Sequence, residues 1–197
     1  MNERMRSHSS TPAHSSWAAV EERKSTHGLD LPAASVIAYW GFTLVVVYEN
    51  LSGFVWWITN FEYISRLVRH LGYPEYVLNI LGPAQLAAAL ILIAPGLPIV
   101  KEWAYAGALI NYVSAIASHL FAGDGLNVFV VAALLYSVFT VGSWALRPAS
   151  RRVTRTPWIG DTRASSWLIA TMILVLMLIV ALLSLPLIES LSTRVPL

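Results

Sequence analysis

The sequence predicts an all-α integral membrane protein: a four-helix transmembrane bundle followed by a fifth, C-terminal transmembrane helix. Three observations predict it. Of the 197 residues, 56% are hydrophobic and 12% are charged, and the mean hydropathy is +0.61; a soluble domain carries about 25% charged residues. The apolar residues fall in five blocks, 35–58, 76–93, 103–121, 127–146 and 167–188, each within the roughly 17–25 residues a spanning helix needs. The basic residues lie between these blocks rather than within them. Lipid offers the backbone no hydrogen-bond partner, so helices are the expected form at these lengths.

Residues 1–33 are rich in Ser, Thr, His and charge and cannot bury enough apolar surface to fold alone, so they read as a disordered cytoplasmic tail. His8, His14 and His27 are irregularly spaced and read as solvated, not as a metal tract. Residues 34–146 form the four-helix membrane domain. Between its first two spans, Phe61, Ile64, Leu67, Val68 and Leu71 recur at near-helical spacing, which predicts an amphipathic segment at the membrane surface. Pro95-Gly96-Leu97-Pro98 is a short turn, and Gly123-Asp124-Gly125 closes the third and fourth spans into an antiparallel hairpin. Gly82-Pro83 reads as a kink in the second span. Residues 147–163 are a basic linker with five arginines, and 164–197 hold the additional helix and a short tail. Summed over alternate sides, ten Lys and Arg fall on the side of the N-terminus and three on the other. This predicts a cytoplasmic N-terminus and an external C-terminus, in a cell inner membrane.

Composition also excludes. The chain has no cysteine, hence no disulfide, thiolate metal site or dithiol relay. Its net charge of +2 comes from loop residues that topology accounts for, so no nucleic-acid surface is read. No cofactor and no metal is expected. A transporter or channel is disfavoured, because no inverted repeat and no charged ring is visible.

Polar residues inside the spans carry the functional reading. Glu49, Gln85 and Asn111 lie 9, 9 and 10 residues from the outer ends of their spans, about 14–15 Å deep at 1.5 Å per residue. One carboxyl and two carboxamides are thus expected near mid-membrane, flooring a cleft that opens outward. An ionisable group at that depth costs about 2.5–3.5 kcal/mol on insertion scales, which favours a functional role for Glu49. Without a cation beside it, its carboxyl could donate a hydrogen bond to a ligand carbonyl. For Gln85, Ser114 and Ser118, interhelical hydrogen bonding at about 0.6 kcal/mol each explains the residues as well as a site does. On the third span Asn111, Ser114 and Ser118 share one face, and Tyr105, Tyr112 and His119 form the adjoining stripe at intervals of seven. His119 falls near the outer rim. Glu102 complements a helix N-terminus, and Lys101 is readable as an inner-side positive charge.

Several of these pieces together resemble the DoxX-like family of small bacterial membrane proteins. They are Tyr39-Trp40, the Glu49 region, HLGYP with His70, Gly72, Tyr73 and Pro74, the Gly82 helix, P-x-x-P-x-x-KEWAYAG from Pro95 through Lys101, Glu102 and Trp103 to Gly107, and S-H-x-x-x-G-D-G from Ser118 through Gly123 and Asp124 to Gly125. The resemblance covers nearly half the chain and implies a four-helix membrane bundle. It departs at Gln85, where the family leads one to expect a basic residue, and at Asn111, where an Asp is common; both changes remove charge. The family includes redox-complex subunits, which implies a quinone-like or lipid-like ligand and a redox-complex protein partner. Three functions stay open. The first is a non-catalytic membrane subunit or binding module whose ligand meets Glu49, Gln85, Asn111, Ser118, His119 and Tyr112. The second is an enzyme moving protons between Glu49 and His119, which must first lie within hydrogen-bond reach. The third is an assembly protein, with a homo-oligomer equally compatible.

Overall fold

The computed structural model describes residues 33–148, 151–152 and 164–192; the readings of the N-terminal tail and of most of the basic linker lie outside the described residues. The elements are α1 (Ala33–Ile58), α2 (Glu62–His70), α3 (Tyr76–Ile93), α4 (Pro98–Phe121), α5 (Val128–Ala145) and α6 (Ala164–Ser192). Among the described residues there is no strand. Helix α1 packs on α3 and α5, and α4 packs on the same two, so α1 and α4 stand diagonally across a four-helix bundle. Helix α6 lies against α1 and the edge of α3.

Four helices are long and apolar enough to cross a membrane: Ala34–Ile58, Tyr76–Ile93, Val128–Ala145 and Ala164–Leu187. Helix α4 has the length, 24 residues, but Lys101, Glu102, Asn111 and His119 dilute its apolar character. It also begins earlier than expected, with Pro98 at its first positions, where a proline's missing N–H costs nothing. Glu102 therefore lies beyond the first turn, and its carboxylate is not a dipole cap. It accepts instead from Arg147 Nη1 at 2.6 Å and Trp144 Nε1 at 2.8 Å, tying α4 to the end of α5.

The bundle is held by packing and polar contacts, because lipid tails supply no hydrophobic drive between helices. Val46, Val47 and Leu51 of α1 meet Ala89, Leu92 and Ile93 of α3, with Ala104 and Tyr105 of α4 and Ala170 of α6 in the same cluster. Helices α1 and α3 approach closely at two glycines. Gly82 lies under the Trp57 ring, and Gly53 lies under the carboxamide of Gln85; a Cβ at either position would fall within 2.6 Å of that partner. Helix α3 runs on through Pro83 to Ile93, so the Gly-Pro pair ends nothing; its glycine serves close packing. The segment read as amphipathic is helical, α2, whose Tyr63 is buried while Glu62, Arg66 and Arg69 stay exposed.

The turn after α3 sets a specific problem. The last carbonyls of a helix lack intrahelical donors. Ile91 O and Ala94 O would ordinarily be served by the N–H groups of residues 95 and 98, and both are prolines. Lys101 supplies the missing donors. Its side chain is fully buried, and its three ammonium hydrogens go to Ile91 O, to Leu92 O at 3.1 Å and to Ala94 O at 2.5 Å. Arg151 adds bonds to Leu92 O at 3.1 Å, Ile93 O at 3.4 Å and the Tyr39 hydroxyl at 3.2 Å. Two cations at the negative end of α3 also suit its dipole. Lys101 is thus a structural plug, a role that its reading as an inner-side positive charge did not include. Lys101→Met strips donors from buried carbonyls, at about 1–3 kcal/mol. The expected result is a melting temperature several degrees lower in detergent; an unchanged melting curve would refute the plug.

Candidate functional site

Three polar layers cross the bundle interior, and each contains one residue of the stripe on α4. Tyr105, Tyr112 and His119 recur every seven residues, about 10 Å apart along the axis, and all three are buried.

At one end, the Asp124 carboxylate accepts from His119 Nδ1 at 2.6 Å and from His70 Nε2 at 2.7 Å. The imidazole of His119 stacks flat on Phe129, with centroids 5.2 Å apart. Beside it, the Tyr73 and Ser118 hydroxyls meet at 2.8 Å, while Ser118 donates to Ser114 O. The turn that presents Asp124 needs its glycines: Gly123 and Gly125 have φ of 84° and 65°, in the left-handed region that side chains disfavour. Asn127 then caps α5, its Oδ1 accepting from Phe129 N at 3.0 Å and Val130 N at 2.9 Å. The HLGYP and S-H-x-x-x-G-D-G pieces are therefore two halves of one contact.

In the middle layer, the Tyr112 hydroxyl donates to Glu49 Oε2, and Asn50 Nδ2 donates to the Tyr112 oxygen at 3.1 Å. The Tyr136 ring lies tilted against that of Tyr112, with centroids 5.6 Å apart. In the third layer the donors run in one direction. Thr43 Oγ1 gives its hydrogen to Tyr39 O at 2.7 Å, so Ser143 donates to Thr43 at 2.7 Å and accepts from the Tyr105 hydroxyl at 2.8 Å.

A cavity of about 310 Å3 lies between α3 and α4. Gln85 and Asn111 line it. The third polar residue in its wall is Asn50, not Glu49. One step along a helix turns a side chain by about 100°. Asn50, Gly53 and Trp57 fall at i, i+3 and i+7 on the face toward α3, whereas Glu49 turns to Tyr112 on α4. Asn50 was the residue sequence reasoning missed; the glycine contact at Gly53, which marks the α3 side of α1, was the signal that could have found it. The cavity also extends the other way from expectation. It runs from Asn111 toward Val100 and Trp103, near the 95–98 turn, so Ser118 and His119 stand outside it. Glu49 and His119 share no partner: the residue Glu49 meets on α4 is Tyr112, seven positions from His119. Among the described residues no hydrogen bond joins Glu49 to His119, the contact a proton-transfer pair needs.

Of the remaining motif residues, Gly72 and Pro74 take structural positions, while Trp103 and Gly107 line the open side of the cavity. Gly72 is at φ 81° in the turn after α2, and Pro74 O accepts from Val77 N at the start of α3. Trp103 is 76% exposed on the outer face of α4, and a Cβ at Gly107 would meet nothing within 4 Å.

Apolar helices of spanning length, closed into a bundle with its polar groups turned inward, define a multi-pass membrane protein. The DoxX-like family profile matches residues 41–143, more than half of the chain, and the chain belongs to that family. The match ends within α5, so α6 is an element beyond it. No curated protein and no solved structure matches the chain.

The bonds from His119 and His70 hold the Asp124 carboxyl below the usual carboxylate range. A carboxyl depressed in the fold adds stability above its unfolded value, near pH 4, and that stability drains away as pH falls through the folded value. The melting temperatures of wild type and Asp124→Asn should therefore differ at pH 6 and converge as the pH drops below about 4. A gap that persists undiminished in acid would show that the carboxylate charge is not what joins the two motifs.

Proposed function

We propose that this protein is a binding module for a neutral lipophilic molecule, quinone-like or lipid-like, held in the cavity between α3 and α4. One observation carries the reading. Gln85 and Asn111 are half-buried carboxamides at mid-span that line the same cavity, and among the described residues neither side chain has a hydrogen-bond partner. The hydrocarbon core itself supplies no partner for them, and an unmatched amide in an apolar medium costs several kcal/mol. A ligand polar group at that depth would satisfy both.

The wall chemistry favours a neutral ligand with an apolar body. Ala84, Ala88, Ile91, Ala104 and Ala108 supply much of the wall, and among the described residues no Lys, Arg, Asp or Glu lines the cavity. An anionic headgroup would have no cation to meet. The volume lies at the small end of the usual range for ligand pockets, about 300–1,000 Å3, enough for a ring or part of a chain. The bias of Lys and Arg toward the N-terminal side supports placing the 95–98 turn, and the nearby end of the cavity, on the cytoplasmic side of a bacterial inner membrane.

Gly107 gives a clean test, because a side chain there enters the cavity without a clash. Protein purified in mild detergent should release a neutral lipophile or quinone on organic extraction. Gly107→Leu should lose it while keeping the wild-type melting temperature. Equal yields from the two proteins would exclude the cavity as the binding site.

A further inference from the structure

We infer that the cavity selects a ligand carrying a hydroxyl, an O–H donor on an apolar body, and that Asn50 is the residue that selects it. The inference rests on the binding reading above and adds the polarity of the ligand's polar group.

A carboxamide can ordinarily turn over and offer either its oxygen or its nitrogen. Asn50 cannot. Its Nδ2 donates to Val46 O at 2.8 Å and to the Tyr112 oxygen at 3.1 Å. Those two bonds consume both amide hydrogens. A turned amide would set Oδ1 against the Val46 carbonyl, two acceptors facing each other. Tyr112 is committed in its turn. Its oxygen accepts from Asn50, and its only hydrogen goes to Glu49 Oε2. The chain Asn50 to Tyr112 to Glu49 therefore runs in one direction, and Glu49 terminates it as an acceptor.

What remains of Asn50 is Oδ1. It takes no hydrogen bond among the described residues, yet the one sealed and unpartnered polar side-chain atom among those residues is Trp56 Nε1. Asn50 Oδ1 thus keeps contact with open space, although the residue is only 3% exposed, and the cavity that Asn50 lines is the one between α3 and α4. The cavity wall has one fixed acceptor. Gln85 and Asn111 are unpinned and adapt to either polarity.

A hydroxyl fits this set. It donates to Asn50 Oδ1 and accepts from the amide of Gln85 or Asn111. A ketone, ester or ether brings only an acceptor and leaves two oxygens facing each other with no hydrogen between them. Long-chain alcohols, diacylglycerols and hydroquinones share the required chemistry. Glu49 is a positioning residue here: it fixes Tyr112, which helps to fix Asn50, and it does not line the cavity.

The test measures two matched pairs by native mass spectrometry of the full chain in detergent. One pair is a long-chain primary alcohol and its methyl ether; the other is a hydroquinone and its quinone with the same tail. Cavity binding is taken as the part lost in Gly107→Leu. The expected result is about a fivefold preference for the alcohol and for the hydroquinone over their partners. Whichever of these two binds tighter identifies a chain or a ring as the natural body. Asn50→Leu should bring both ratios to about one. Glu49→Leu should lower them, and Glu49→Gln, whose oxygen still accepts from Tyr112, should keep them. Gly107-dependent binding without preference in the wild type overturns the inference and leaves the binding reading standing. Absence of Gly107-dependent binding by all four probes overturns both. A preference that survives Glu49→Leu intact overturns the role given to the Tyr112 chain.

Discussion

The bundle depends on one ammonium group. Helix α3 ends in a turn whose two prolines withhold the donors its last carbonyls need, and Lys101 reaches back from the next helix to supply them. The same contact fixes where α4 begins relative to where α3 stops. That offset places Asn111 across from Gln85 and leaves a gap between the helices, lined by alanines and a glycine. Arg151 reinforces the same helix end from the far side of α5, so a segment after the bundle also closes it. A cation enclosed among carbonyls is costly to desolvate, and what compensates here is that every hydrogen on it is used.

Much of the architecture was legible in the sequence, for a physical reason: spanning length and apolarity are local properties. The five long helices and the amphipathic segment follow directly from them. The start of α4 was not legible in the same way. Its first turn is built on Pro98, and the apolar pattern begins only at Trp103. That Gln85 and Asn111 line one cavity is compatible with their positions along the spans. Helical rise is constant, so comparing those positions needed only counting. Direction around the helix axis was not legible. Whether Glu49 or Asn50 faces α3 depends on which helices become neighbours, and that is set by Gly53 and Gly82 letting α1 and α3 approach. The motif pieces were visible as strings, but their pairing through Asp124 and through Tyr73 with Ser118 is a long-range contact that no local pattern encodes.

The amides at positions 85 and 111 and the carboxyl at position 49 divide the polar work between wall and interior. Uncharged groups with spare hydrogen-bonding capacity border the cavity. The ionisable group is turned inward, where it accepts from the Tyr112 hydroxyl and stands outside the cavity wall. This separation suits recognition of a neutral molecule: the wall offers shape and directed hydrogen bonds, with no charge to draw in ionic headgroups or water. Helix α6, beyond the family match, adds to the support of α1. Its buried Ala170 and Ala181 bring it close, and Ser184 accepts from the Tyr48 hydroxyl at 3.2 Å, one residue before Glu49.

The seven-residue spacing of Tyr105, Tyr112 and His119 has a mechanical consequence. Each joins α4 to a different set of partners at a different level. A slide of α4 by one turn, about 5.4 Å, would break all three sets together, and the intervening apolar layers offer no substitute acceptors. Single polar contacts in helical bundles are known to fix register; three in series act as a ratchet with one tooth engaged. These contacts hold α4 against a piston motion along its axis. Any molecule held against it is therefore kept at one depth in the membrane.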